Sequence, residues 1–153
     1  MIALYRGRSW ISKAIRWQTR SVYSHAAWVL RDGSVIEAWQ SGVRHVANLS
    51  VAHTPETVVD LFSIPNMIDH YRDHVEDWLL SQLGKGYDYR GVLRFLTRRQ
   101  GTNPDRWFCS ELVAEACNQK WLPLLRRIKS SSVSPGCLSY SPYLLYEKTI
   151  TTG

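Results

Sequence analysis

The sequence predicts an α+β fold in one domain spanning residues 1–153. Three observations carry that expectation. An Asp-Gly pair at 32–33 separates two runs that read as strands, a strong hairpin signal. Two stretches, 67–83 and 108–116, repeat their apolar residues at helical spacing. The composition is 44% hydrophobic and 12% aromatic, with seven Trp and eight Tyr, which suits a chain that folds around a core.

From the N-terminus, residues 2–5 form a short apolar run, expected as a first strand closed by Gly7. Ser9 is placed to cap a helix. In that helix Ile11, Ala14, Ile15 and Gln18 make one stripe, with Lys13, Arg16 and Arg20 opposite. Such a basic face is either merely solvated or a contact for an anionic surface.

Residues 22–30 and 34–39 read as paired strands, and the connection between them matters. A two-residue turn at Asp32-Gly33 puts His25 and Glu37 on opposite faces. A three-residue loop, with Gly33 left-handed at a bulge, pairs Leu30 with Ser34 and Ala27 with Glu37, making His25 a diagonal neighbour of Glu37. A working His25–Glu37 pair therefore requires the three-residue loop.

Residues 42–47 and 57–62 are further strands, the second rich in β-branched side chains. The helix at 67–83 turns Ile68, Tyr71, Val75, Trp78, Leu79 and Leu83 inward, and Gly84 stops it. His70, His74 and Asp77 share its other side but lack the glutamate of the HExxH signature, so they read as a hydrated polar face. A loop at 84–89 leads to an expected helix at 90–97 and an exposed linker at 98–104. After Pro123, Arg126, Arg127 and Lys129 form a second basic cluster. Residues 130–136 read as loop, and 143–146 close the chain as a strand or short helix.

The stretch 107–116 carries the chemistry. Phe108, Leu112, Val113 and Ala116 recur at helical spacing, with Glu111 and Glu115 on the other side and Pro104 and Asp105 just upstream. Cys109 thus falls in a first helical turn, where unpaired backbone N–H groups and the positive end of the dipole favour a thiolate. A nucleophilic cysteine needs a histidine to hold its proton and a third group to orient that histidine. Without such partners, Cys109 reads as an ordinary buried cysteine.

Charge and cysteine content limit the remaining classes. The net charge of +6 and pI near 9.4 fit an anionic partner: membrane surface, nucleic acid or cell-wall polymer. Nucleic-acid binding rests on charge alone and lacks a recognisable motif. No apolar run approaches the roughly 18 residues of a membrane span. The first seven residues lack a signal-peptide pattern, so the default expectation is cytoplasmic, with signal-independent delivery to the cell envelope as the alternative. Three cysteines make a full disulfide framework a poor fit, and Cys109 and Cys117 would lie about 12 Å apart along one helix. No cofactor or metal is expected.

Taken in order, Tyr5-Arg6-Gly7, residues 9–15, Tyr23-Ser24-His25-Ala26, Val35-Ile36-Glu37-Ala38, residues 84–88, Phe108-Cys109-Ser110-Glu111-Leu112-Val113 and Ser134-Pro135-Gly136 resemble the circularly permuted branch of the NlpC/P60 papain-like hydrolases, the YiiX/YaeF-like group. The histidine preceding the cysteine marks the permutation. The resemblance implies a papain-like α+β fold, with the cysteine helix packed on a bent antiparallel sheet that carries the histidine. It makes Cys109 the nucleophile, His25 the base and Glu37 the residue orienting the imidazole, and puts Tyr87 in the site beside the oxyanion. It departs from the group at Cys137, where members often carry an acidic residue.

Together these imply a cysteine hydrolase, an amidase or peptidase working by acyl transfer, with a cell-wall (peptidoglycan) peptide as first substrate. A lipid-linked acyl ester or amide is the alternative, favoured by the Trp- and Arg-rich first helix and the basic tail. A reading from another class is a non-catalytic structural or binding component of a larger assembly.

Overall fold

The computed structural model describes residues 1–65, 67–89, 105–119 and 122–153. Among these, six strands form one sheet in the order β4-β3-β2-β1-β5-β8, every neighbouring pair antiparallel. They are β1 (Ile2–Arg6), β2 (His25–Val29), β3 (Val35–Trp39), β4 (Gly42–Val46), β5 (Val58–Ser63) and β8 (Leu145–Thr151). The helices are α1 (Trp10–Thr19), α2 (Asp69–Ser81), α3 (Cys109–Asn118) and the single turn α4 (Pro135–Leu138). A parallel pair, β6 (Gly86–Tyr87) and β7 (Arg106–Trp107), stands apart from the large sheet. The helix expected at 90–97 and the linker at 98–104 lie outside the described residues. Among the described residues, no helix is long and apolar enough to cross a membrane.

Strand alternation gives the sheet two buried faces. Ile2, Leu4, Ala26, Trp28, Ile36 and Ala38 pack with Val75 and Leu79 of α2 and Leu112, Val113 and Ala116 of α3. Ala3, Tyr5, Ala27, Val29, Val35, Val59 and Leu61 form a second cluster on the opposite side. Each fully buried aliphatic residue contributes about 1.5–3 kcal/mol of transfer free energy.

The β2–β3 connection is the three-residue loop. Trp28 pairs with Ile36 and Val29 with Val35, and the Leu30 N–H donates to Ser34 O (2.8 Å). Gly33 sits at φ +86°, open to glycine without strain. Asp32 fixes the turn by accepting from the Ser34 N–H (2.9 Å). At the end of the next hairpin Gly42 has φ +112°, and a Cβ there would lie 2.5 Å from the Lys85 carbonyl. That carbonyl accepts from the Val43 N–H (2.8 Å), so only glycine lets the segment leading to Tyr87 lie against β4.

Several expectations need correction. In α1, capped by Ser9 as expected, Ile15 is buried but Ala14 is exposed; Trp10 and Trp17 face outward, 79% and 81% exposed. Arg16 is half-buried, donating to Gly7 O, because the loop leaving β1 folds back over it; Lys13 and Arg20 stay exposed. In α2 only Val75 and Leu79 are fully buried. Ile68, Tyr71 and Leu83 lie outward, since the helix starts after Ile68 and ends at Ser81, and one turn alone meets the sheet. The segment at 130–136, read as loop, holds a 3-10 turn (Ser130–Ser132) and the start of α4, whose Ser134 cap accepts from the Cys137 N–H. The closing strand runs further than 143–146, to Thr151, because β5 offers it an edge.

Candidate active site

Cys109 is the first residue of α3, following Phe108 in extended conformation, as the first-turn expectation required. It is 1% exposed. Ser110 anchors the turn by donating to Val133 O (2.6 Å). Glu111, expected to face outward, is 3% exposed and accepts from the Phe108 N–H. The helix is enclosed on nearly every side, and a carboxylate at its start satisfies a backbone N–H that would otherwise be buried alone.

His25 is the first residue of β2 and sits opposite Tyr5 of β1. Its Nε2 lies 2.5 Å from Glu37 Oε2, and Cys109 lies near enough to interact with the ring as well. Burial works against a charged ring, but Cys109 and Glu37 outweigh it and hold the pKa of His25 well above its ordinary value. Burial also opposes ionisation of Glu37, yet His25 and His53 keep its carboxyl well below the usual range. Tyr87, on β6, is near enough to Cys109 to feel its charge. Burial, then Cys109, push its phenol up, so it stays protonated as a donor.

Four residues complete the site without having been singled out in the sequence. Arg44 donates to Glu37 Oε1 from Nη2 (2.6 Å) and Nε (3.0 Å). It stands opposite Glu37 in the β3–β4 ladder, so a turn at Gln40-Ser41 pairing Trp39 with Gly42 would have revealed it. His53 lies 3.4 Å from Glu37 Oε2, its side chain 6% exposed and its Nε2 without a hydrogen-bond partner. It belongs to an irregular segment, where no periodicity marks a residue. Tyr5 stacks on His53 with centroids 4.1 Å apart, and Trp39 meets both histidines edge-on. Burial pulls the pKa of His53 down. One donor atom from each of His25, Glu37 and His53 fits within 4.8 Å, a set able to hold a metal ion.

The remaining expected residues lie apart from this cluster. His70 and His74 contact each other on the outer side of α2. All three cysteines are free; Cys117 is buried, which pushes its thiol up to about 12, and Cys137 accepts from Ser134 Oγ. Arg126, Arg127 and Lys129 are exposed.

Among solved structures, the chain is similar to the crystal structure of the metalloprotein YiiX from Escherichia coli O157:H7. The TM-score is 0.73 at 21% identity, over 96% of this chain and 94% of that one. At that identity the likeness is one of fold: mixed α and β, with an antiparallel sheet. No family model matches the chain, and no curated protein does.

Proposed function

We propose that the chain is a papain-like cysteine hydrolase of the permuted NlpC/P60 kind, acting by acyl transfer through Cys109, His25 and Glu37. The observation that supports this reading is the close pairing of His25 with Glu37, with Cys109 at the start of a helix near enough to act on the same ring. Cys109 gives its proton to His25, and the sulfur attacks a substrate carbonyl carbon. The developing oxyanion is met by first-turn N–H groups of α3 and the Tyr87 hydroxyl, each such donor worth roughly 3 kcal/mol. As the carbonyl–leaving-group bond breaks, His25 protonates the leaving group and a thioester remains. His25 then takes a proton from water, whose oxygen attacks the thioester and frees acid and thiol. Glu37 fixes the ring and stabilises its charge, and Arg44 fixes Glu37.

The first substrate class is an amide of a cell-wall peptide, by analogy of fold. A lipid-linked acyl group is the second, favoured by the outward Trp10 and Trp17 beside Lys13 and Arg20, which suit an interface between apolar and anionic phases.

The test is alkylation of native protein by iodoacetamide at one fixed pH, followed by mass spectrometry on each cysteine. Cys109 should react fastest, and His25→Ala should slow it; peptidoglycan fragments or acyl lipids should then leave an acyl mass on Cys109. A Cys109 that reacts no faster than Cys137, with or without His25, would overturn the reading in favour of a non-catalytic component.

A further inference from the structure

We infer that His25, Glu37 and His53 form a binding site for one divalent transition-metal ion of the zinc class, and that metal occupancy excludes activation of Cys109. The binding half stands on geometry alone; the exclusion half rests on the hydrolase reading.

Two imidazoles and one carboxylate converge with one donor atom each inside 4.8 Å. The carboxylate is already oriented: Arg44 engages Oε1, and Oε2 is presented to both histidines. A charged partner outside the first coordination sphere that fixes a ligand in this way is a common feature of metal sites. His53 is the second, independent sign. Its buried Nε2 makes no hydrogen bond but points at the same oxygen, an arrangement that leaves a buried polar atom wanting a partner. The ring is held there by its stack on Tyr5, interplanar angle 14°.

The spacing also fits. Ligands bonded to zinc at about 2.0–2.1 Å in tetrahedral geometry lie roughly 3.3 Å from one another. His53 Nε2 and Glu37 Oε2 are 3.4 Å apart as they stand. His25 Nε2 and Glu37 Oε2, at 2.5 Å, need to open by less than about 1 Å, and the two imidazole nitrogens, within 4.8 Å of each other, need to settle to the same spacing. Imidazole with carboxylate selects zinc, cobalt or nickel over magnesium or calcium, which prefer all-oxygen sites. Three protein ligands leave a fourth position for water.

Exclusion follows from the shared atom. The metal takes the Nε2 lone pair that otherwise carries the proton shared with Glu37. His25 then cannot become the carboxylate-held imidazolium that Cys109 requires. Cys109 is not one of the three donors.

The experiment uses the full chain, stripped with a chelator and titrated with Co2+ and with Zn2+ against a chromophoric competitor. One equivalent should bind, with Co2+ showing d–d bands but no intense thiolate-to-cobalt charge transfer. Cys109→Ala should bind equally, and His53→Phe, which keeps the ring stack, should lose the ion. X-ray absorption of the zinc-loaded wild type should show imidazole scattering and no sulfur, which guards against a variant that fails to fold. Absence of binding, a sulfur ligand, or unchanged binding in folded His53→Phe would each overturn the site. One equivalent of Zn2+ should slow alkylation of Cys109 by about tenfold or more, reversed by chelation. Unchanged alkylation with zinc bound would overturn exclusion alone. A Cys109 that is inert in metal-free protein would instead sink the hydrolase reading and leave the metal site standing.

Discussion

Glu37 on β3 and Asp60 on β5 are both carboxylates 1% exposed in the same sheet, and each is engaged by one arginine. Their other partners differ. Asp60 accepts from Tyr23 Oη (2.6 Å), Thr149 Oγ1 (2.5 Å) and the Arg6 guanidinium, so both oxygens meet donors that hold their protons across the physiological range. Glu37 meets one arginine and two imidazoles, groups that can take up and release a proton. Burial opposes the charge of Asp60, but the Thr149, Tyr23 and Arg6 hydrogen bonds prevail and hold its pKa below the usual carboxylate value. Burial and an arginine are common to both carboxylates, so neither distinguishes them. What separates them is a partner that can exchange a proton and also touches a thiol.

The largest effect is expected at His25: His25→Ala should lower the alkylation rate of Cys109 by roughly a hundredfold or more at neutral pH, read by mass spectrometry, while thermal stability falls less than in a core truncation. Asp60→Asn is its opposite. An amide there turns a donor toward Tyr23 and Arg6, and should cost about 3 kcal/mol in denaturant unfolding while leaving Cys109 alkylation at the wild-type rate. If Asp60→Asn altered the thiol as strongly as the fold, the two carboxylates would belong to one network and the contrast would fail. Glu37→Gln keeps the shape but removes the charge facing His25. Alkylation should drop by roughly tenfold, less than for His25→Ala, because the amide still accepts a hydrogen bond from the ring. The smallest effect is in pH. Asp60 has a lower pKa folded than unfolded, so its stabilisation is fully present above the unfolded value near 4. It is lost as pH falls through the folded value. Unfolding free energy measured from pH 5 downward should therefore decline more steeply in wild type than in Asp60→Asn.

Much of the scaffold was legible because it rests on local chemistry. The Asp-Gly turn, the β-branched run at 57–62, the Ser9 cap and the helix starting at Cys109 all rely on neighbours within a few residues. The required three-residue loop was derivable too, since strand alternation fixes which side chains share a face once the register is set. Expectations about helix faces did worse. Glu111, Ala14, Tyr71 and Leu83 were sorted by polarity and spacing, whereas their burial depends on which turn meets the sheet and on what else covers the helix.

From its sequence alone the chain shows β1 to β5, the helices α1, α2 and α3, the position of Cys109 in a first turn, and the single face shared by His25 and Glu37. These follow from period, turn geometry and capping, which act over a few residues. Only the tertiary structure decided that Cys109 meets His25 across 84 positions of chain, that Arg44 holds one oxygen of Glu37, and that His53 approaches the other. Those contacts join segments with no common periodicity, so nothing short of the packed sheet could bring them together.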